Sequence, residues 1–465
     1  MPGGMNPLLL GLTAYILAQL ALGVWVSRRV ATEEDYLVAG RSLGPVLATF
    51  TVFATWFGAE TCIGAAGAVY ERGLAGGSAD PFGYALCIIL TGLLFAVPLW
   101  RLKLTTLADL FRIRFAPAVE RLAVALLVPT SLFWAAAQVR AFGQVLSVAS
   151  GWDVTITITI AAAVVIVYTT LGGLLADAWT DLVQGIALIA GLAALFVAVG
   201  RAEGLDLLGA LGPGRLDLFG GEGRSLLAVA EDWAVPVVGS LVAAEVVTRM
   251  IAARSARIAR RATVTAGVCY LLIGLMPVAL GLLGAVLAPG LDQPEQILPL
   301  LAERYLPTFL FVVFAGALVS AILSTVDSAL LVAAGMVSHN VVLPLLPGAS
   351  ERTKVLVARV GVVVFGVAAY AMAFRAERVY DLVEEASAFG SAGIVTVAVF
   401  GLFTRFGGPR SAVAALLAGV VTWVVGAHVL ELPYPYLASL AAAVGGYVTV
   451  GALADEPVAV LEPIA

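Results

Sequence analysis

Long apolar runs separated by short polar turns set the pattern of this chain. A helix needs about 20 mostly apolar residues to cross a bilayer. Runs of that kind lie near 7–27, 45–70, 79–100, 118–149, 153–172, 178–200, 230–252, 260–288, 306–340, 354–374, 379–403, 411–428 and 433–453. The pattern predicts an all-α polytopic membrane protein with about 13 transmembrane helices. No linker divides the chain, so one transmembrane domain over 1–465 is expected. The longest polar stretch, about 201–229, predicts an exposed loop, and 292–304 (DQPEQILPLLAER) a short surface helix.

Composition agrees with a bilayer as the solvent. Hydrophobic residues make up 61% of the 465, charged residues only 12%, and mean hydropathy is +1.02. A soluble domain is nearer half apolar and a quarter charged, and would not hide this much apolar surface from water. The net charge of −5 argues against a nucleic-acid partner. Cys62, Cys87 and Cys269 each lie in an apolar stretch without metal-ligand spacing, and read as small buried hydrophobes. His339 and His428 lie near span ends with no partner spacing and read as structural. With no metal-ligand cluster, Cys–His pair or phosphate-binding glycine loop, an enzyme is not expected. The N-terminal run carries its arginines after the apolar stretch, so it reads as a retained span rather than a signal peptide.

The basic residues sort by side. One set of loops holds Arg28, Arg29, Arg41, Arg101, Lys103, Arg112, Arg114, Arg121, Arg249, Arg254, Arg257, Arg260, Arg261, Arg352, Lys354, Arg359, Arg405 and Arg410. The other holds Arg72, Arg201, Arg215, Arg224, Arg304, Arg375 and Arg378. Positive charge favours the cytoplasmic side. The expectation is a multi-pass inner-membrane protein, N-terminus outside and C-terminus cytoplasmic.

A carboxylate inside a span costs at least about 2.5 kcal/mol on insertion scales, so those present are informative. Glu60 lies in the second span, Asp181 starts the sixth, Glu245 lies in the seventh and Asp327 in the ninth. The second span (ATFTVFATWFGAETCIGAAGAVY) is weakened around Gly58 by small residues, and the seventh (DWAVPVVGSLVAAEVVTRM) by Pro236 and Gly239. Five spans apart, two interrupted helices are expected of a five-plus-five inverted repeat whose breaks meet at the midplane. The ninth span places Ser324, Thr325 and Ser328 on roughly one face beside Asp327. Hydroxyl, carbonyl and carboxylate oxygens suit a hard cation such as sodium. Bonding of those hydroxyls back to the preceding turn is the plainer alternative.

Four stretches resemble the solute:sodium symporters, which share the LeuT-type fold. They are Asp35 to Gly44 (DYLVAGRSLG), Tyr168 to Gln184 (YTTLGGLLADAWTDLVQ), Thr248 to Ser255 (TRMIAARS) and Ser320 to Ser328 (SAILSTVDS). The resemblance covers nearly the whole chain. It implies an extra N-terminal helix at 7–27, a first repeat at 45–200, a second repeat at 230–403 and two C-terminal helices at 411–453. It also implies a sodium site of two carbonyls from the broken second span, Ala54 and Phe57, with Ala321, Ser324 and Thr325 of the ninth. A second sodium is implied near Asp181, with Asp327 and Ser328 opposite. Within the family the choline carriers are closest in pattern. Trp56, Tyr84 and Trp134 match three walls of their aromatic cage, which holds a quaternary ammonium by cation–π attraction. Ala243 and Val383 stand where two further tryptophans would be. Glu60 matches a substrate-binding glutamate of sugar-transporting members.

The expected function is sodium-coupled import of a small organic solute by alternating access, with Na+ as coupling ion and no organic cofactor. Trp56, Glu60, Thr61, Tyr84, Trp134 and Glu245 are the expected solute-binding residues, with Glu60 and Glu245 facing one cavity. Two buried carboxylates favour a cationic or zwitterionic solute. A polyol or sugar that uses the same carboxylates as acceptors is the competitor. A non-transporting sensor and a channel are the readings from other classes.

Overall fold

In this computed structural model the described residues run from 30 to 454, except 59, 205–208, 210, 222, 377 and 378, with single positions at 11, 13, 14, 17, 18, 21 and 25. The expected first span at 7–27 therefore lies almost wholly outside the described residues. Nearly everything described is helical. In chain order the helices are α1 (Glu33–Val38), α2 (Pro45–Trp56), α3 (Ala66–Arg72), α4 (Tyr84–Leu94), α5 (Ala96–Arg101) and α6 (Ala108–Arg114). There follow α7 (Pro117–Ser150), α8 (Val154–Gly172), α9 (Leu174–Glu203), α10 (Leu226–Val238), α11 (Ala244–Ile251), α12 (Ala256–Leu287) and α13 (Ile297–Tyr305). The chain closes with α14 (Thr308–Val337), α15 (Glu351–Arg375), α16 (Val379–Ala388), α17 (Ser391–Phe403), α18 (Pro409–His428) and α19 (Pro435–Leu453). Among the described residues, nine helical stretches are long and apolar enough to cross a membrane, and Pro45–Trp56 and Val154–Thr170 are shorter apolar helices.

Local chemistry sets the helix starts. Ser225, Ser255 and Ser350 accept from the backbone N–H three residues on and cap α10, α12 and α15. Proline opens α7, α18 and α19, where a missing N–H costs nothing. Thr32 and Asp35 cap α1 reciprocally. The Asp35–Gly44 stretch then turns so that Arg41 bonds to Glu34 Oε1 at 2.9 Å and to the carbonyls of Ile251, Lys103 and Leu104. Leu43 also pairs backbone to backbone with Ala252 and Arg254. The entry to α2 is thereby tied to the exit of α11.

The second and seventh spans are broken, as expected. α2 ends at Trp56, Phe57 leaves helical geometry with ψ 75°, and the chain resumes in a wide turn over Glu60–Ala65 before α3. α10 and α11 are separated by 239–243. A third interruption, between α16 and α17, was not expected. There Phe389 and Gly390 split the run, and Gly390 takes φ 68°. The 79–100 run is likewise two helices, α4 and α5. α14 runs through the centre of the protein against α7 and α9, with every residue from Phe314 to Met336 buried.

Candidate functional site

The break in the second span lies directly against α14. Ser324 Oγ and Thr325 Oγ1 stand 3.4 and 3.3 Å from the Ala54 carbonyl, and Thr325 also reaches the Ala321 carbonyl at 3.2 Å. Asp181 of α9 joins them: one carboxylate oxygen accepts from Ser324, the other from Thr51 of α2. The structure thus brings together Ala54, Ala321, Ser324, Thr325 and Asp181. Phe57 lies at the same break, with its N–H returned to Phe53 O. All the donor groups are hard oxygens, and a small cation with oxygen ligands suits them.

A buried charge cluster adjoins these residues. Arg249 of α11 forms an ion pair with Asp177 of α9, both side chains fully buried, and also donates to Ser328. Ser328 donates to Asp177 as well, at 3.2 Å. Neither carboxylate oxygen of the buried Asp327 makes a hydrogen bond. Of the three residues expected at a second sodium, Asp181 therefore bonds to Thr51 and Ser324, Ser328 to Asp177 and Arg249, and Asp327 lies beside Asp177 and Thr169. Asp177, Asp181 and Asp327 outnumber Arg249 by two charges. Arg249 had been counted with the loop arginines; instead it is buried inside this cluster. Arg114 is buried too, bonded to the carbonyls of Gly401 and Gly407.

A cavity of about 540 Å³ extends from Arg72, Glu231 and Asp232 as far as Glu60. Glu60 is buried, its Oε2 accepts from Gln138 Nε2 at 2.7 Å, and its Oε1 has no hydrogen-bond partner. Six carboxylates, those of Glu60, Asp80, Glu231, Asp232, Glu384 and Glu385, line this cavity, against one arginine, Arg72. Thr61 lies behind it: its hydroxyl donates to Asp80 Oδ2 at 2.8 Å and touches the Tyr270 hydroxyl at 2.7 Å. The rings of Trp56, Tyr84 and Trp134 form a cluster with centroids 5.5–6.1 Å apart, Trp56 and Trp134 nearly parallel. Tyr84 lines the cavity together with Val383.

Glu245 does not share that cavity. It opens α11, accepts from Ser131 and lines a separate hollow of about 20 Å³ that also touches Trp134, Ala243 and Phe389. The expectation that Glu60 and Glu245 face one space is replaced by two spaces, the larger lined by Tyr84 and the smaller by Trp134, whose rings lie 6.0 Å apart.

On the basic face, the turn after α14 closes a polar network. His339 Nδ1 is 2.8 Å from Glu33 Oε1, and its Nε2 is 3.5 Å from Asp109 Oδ1. Asn340 donates to Asp109 at 2.9 Å and to Glu120 at 2.7 Å. Burial raises the Asp109 carboxyl, but its bonds to His339 and to the N–H groups of Thr105 and Thr106 prevail and hold it below its ordinary value.

Sequence reasoning missed Asp80, Gln138, Asp177 and Tyr270. Asp177 sits in a motif already singled out, four residues before Asp181, and i, i+4 spacing alone would have placed both acids on one face. Asp80, just before Pro81, had no periodic signal.

Comparison with known proteins follows from this geometry. The family described as SSF: Sodium:solute symporter family matches residues 36–419. The high-affinity choline transporter 1 of Caenorhabditis elegans is 28% identical over 80% of this chain and 70% of its own length. The sodium/proline symporter of Haemophilus influenzae is 26% identical over 90% of this chain and 88% of its own. The solved substrate-bound, outward-open structure of a Na+-coupled sialic acid symporter superposes with a TM-score of 0.85 at 19% identity, covering 98% of this chain and 99% of that one. The fold is of the LeuT type.

Proposed function

The chain belongs to the sodium:solute symporter family, and we propose that it imports a small cationic or zwitterionic solute together with sodium by alternating access. Sodium-coupled symport of a small solute by a multi-pass membrane protein is the activity of that family. The finer reading rests on the acidic lining of the cavity, six carboxylates of which Asp232 is paired with Arg224 and Glu385 lies near His428, with one buried oxygen of Glu60 left without a partner among the described residues. An unpaired buried carboxylate is costly until a donor or cation reaches it. Choline and proline, the solutes in the names of two relatives, are a cation and a zwitterion.

In this reading the acidic cavity opens to the outside, the N-terminus is outside and the C-terminus is in the cytoplasm. Residues 45–200 and 230–403 are the two repeats, flanked by 7–27 and 411–453. Sodium enters first and is held by Ala54, Phe57, Ala321, Ser324 and Thr325. Binding there joins the broken second span to α14 and fixes the shape of the break. Trp56, Glu60, Thr61, Tyr84 and Trp134 then receive the solute. Asp181, bonded to Thr51 and Ser324, adjoins this site and with Asp327 and Ser328 would take a second sodium. Because the two ligands help each other through one coupling free energy, sodium raises solute affinity by the factor by which solute raises sodium affinity. Rocking of the helices that carry the two breaks opens the site inward, and low cytoplasmic sodium favours release.

The test is thermal shift of the purified protein against amines, betaines, amino acids, sugars, polyols and carboxylates, each in sodium and in potassium. The expected result is a stabilising amine, betaine or amino acid that acts in sodium only. Stabilisation by a polyol alone would replace the cationic reading. Equal stabilisation in potassium would remove sodium from the mechanism.

A further inference from the structure

Two buried carboxylates are held by one face of α7. Gln138 donates to Glu60, and Ser131 donates to Glu245. The two donors are seven residues apart, which is two turns or roughly 10 Å along the helix. Trp134 stands between them on the same face, three residues from one and four from the other. Its ring lies parallel to that of Trp56 at 6.1 Å. The same order repeats along the broken seventh span: Val235 and Pro236 line the larger cavity, and Gly239, Ser240 and Val242 to Glu245 line the smaller one.

We infer that Glu245 forms a second solute subsite on the cytoplasmic side of the Trp134 partition, which takes the ammonium group of the solute as it leaves Glu60. This rests on the reading of a cationic solute given above. Glu245 is 3% exposed, and among the described residues the side-chain donor on its carboxylate is the neutral Ser131 hydroxyl. The nearest basic group on its own helix, Arg249, is engaged by Asp177 and Ser328 and reaches only the backbone carbonyl of Glu245. A buried carboxylate without a charged partner gains most from a cation that arrives with the cargo. The hollow beside it, about 20 Å³, is large enough for one water. It is bounded by Gly239, Ser240, Val242 and Ala243 from the break in the seventh span and by Phe389 from the break between α16 and α17. The solute therefore has two carboxylate stops with an aromatic partition between them, and transport is its passage from the first to the second.

The experiment uses the full chain with Ala243→Cys, labelled in potassium by ethylammonium methanethiosulfonate or by its neutral methyl analogue. Val242→Cys, which lines the same hollow, serves if the first variant does not fold. Cys62 and Cys87 are buried, and unmodified protein labelled in parallel gives the baseline for Cys269. Corrected for their reactivity toward a free thiol, the ammonium reagent should react at least tenfold faster than the neutral one. Adding Glu245→Gln should abolish that preference while leaving the neutral rate unchanged. The same preference with glutamine at 245, or no labelling by either reagent at both positions, overturns the inference. Both results are independent of sodium coupling, so the solute panel and this labelling fail separately.

Discussion

Gly58 and Thr325 approach so closely that a Cβ added to Gly58 would stand 2.6 Å from the Thr325 hydroxyl. The break in the second span and the hydroxyl pair of α14 are therefore one unit. Gly58→Ala must push Thr325 away from the Ala54 carbonyl. The expected outcome is at least a tenfold rise in the sodium concentration needed for half-maximal solute binding, with the protein still folded by size exclusion. A sodium response equal to that of the unmodified protein would detach this glycine from the ion site.

The Asp177–Arg249 pair is fully buried and shares Ser328. Asp177→Asn removes the carboxylate bonded to the Arg249 guanidinium, and breaking a buried pair in this way costs about 3–5 kcal/mol. Thermal unfolding in detergent should show a large loss for Asp177→Asn and a smaller one for Asp177→Asn combined with Arg249→Met. If the double variant unfolds at the same temperature as the single one, the pair is not the source of the stability.

How far the sequence reached depends on the kind of signal. From the second onward the apolar runs fall on helices within a few residues, and among the described residues nine helical stretches are long and apolar enough to cross a membrane, because burial in lipid demands length and composition together. The breaks at Gly58 and Gly239 were legible because glycine and proline weaken helices locally. A Cβ at Gly239 would in fact strike the Ser387 carbonyl at 2.3 Å, a contact between distant spans that no local pattern records. The same limit hid the role of Gln138, whose meaning depends on Glu60 lying 78 residues away. It also separated Glu245 from Glu60, since both are mid-span and their two spaces are lined by different rings, Trp134 and Tyr84. His339 looked partnerless for the same reason, its acids lying on α1 and α6.

Acid should loosen the network on the basic face. The folded-state pKa of Asp109 is depressed, so the stabilisation it gives is fully present above the unfolded value of about 3.9 and is lost as pH falls through the folded value. Thermal stability should thus be insensitive to this group between about pH 5 and 7 and decline below about pH 4. Asp109→Asn should lower stability at pH 7 and flatten that acid limb. An acid limb as steep in the variant as in the parent would assign it to other carboxylates.

Glu60→Gln keeps the shape of the cavity floor and the neighbour Gln138 but removes the charge. For a cationic solute the expectation is a loss of at least tenfold in affinity with little change in thermal stability of the free protein. Retained affinity for the solute that the panel selects would favour a neutral polyhydroxy ligand at this position.

The most direct measurement is solute affinity as a function of sodium concentration, in the unmodified protein and in Ser324→Ala combined with Thr325→Ala. Both hydroxyls face the Ala54 carbonyl and neither lines the solute cavity. The prediction is that affinity rises steeply with sodium in the parent and stays low and flat in the double variant. An unchanged sodium dependence in the double variant would contradict the ion site, and with it the proposed coupling through the broken second span.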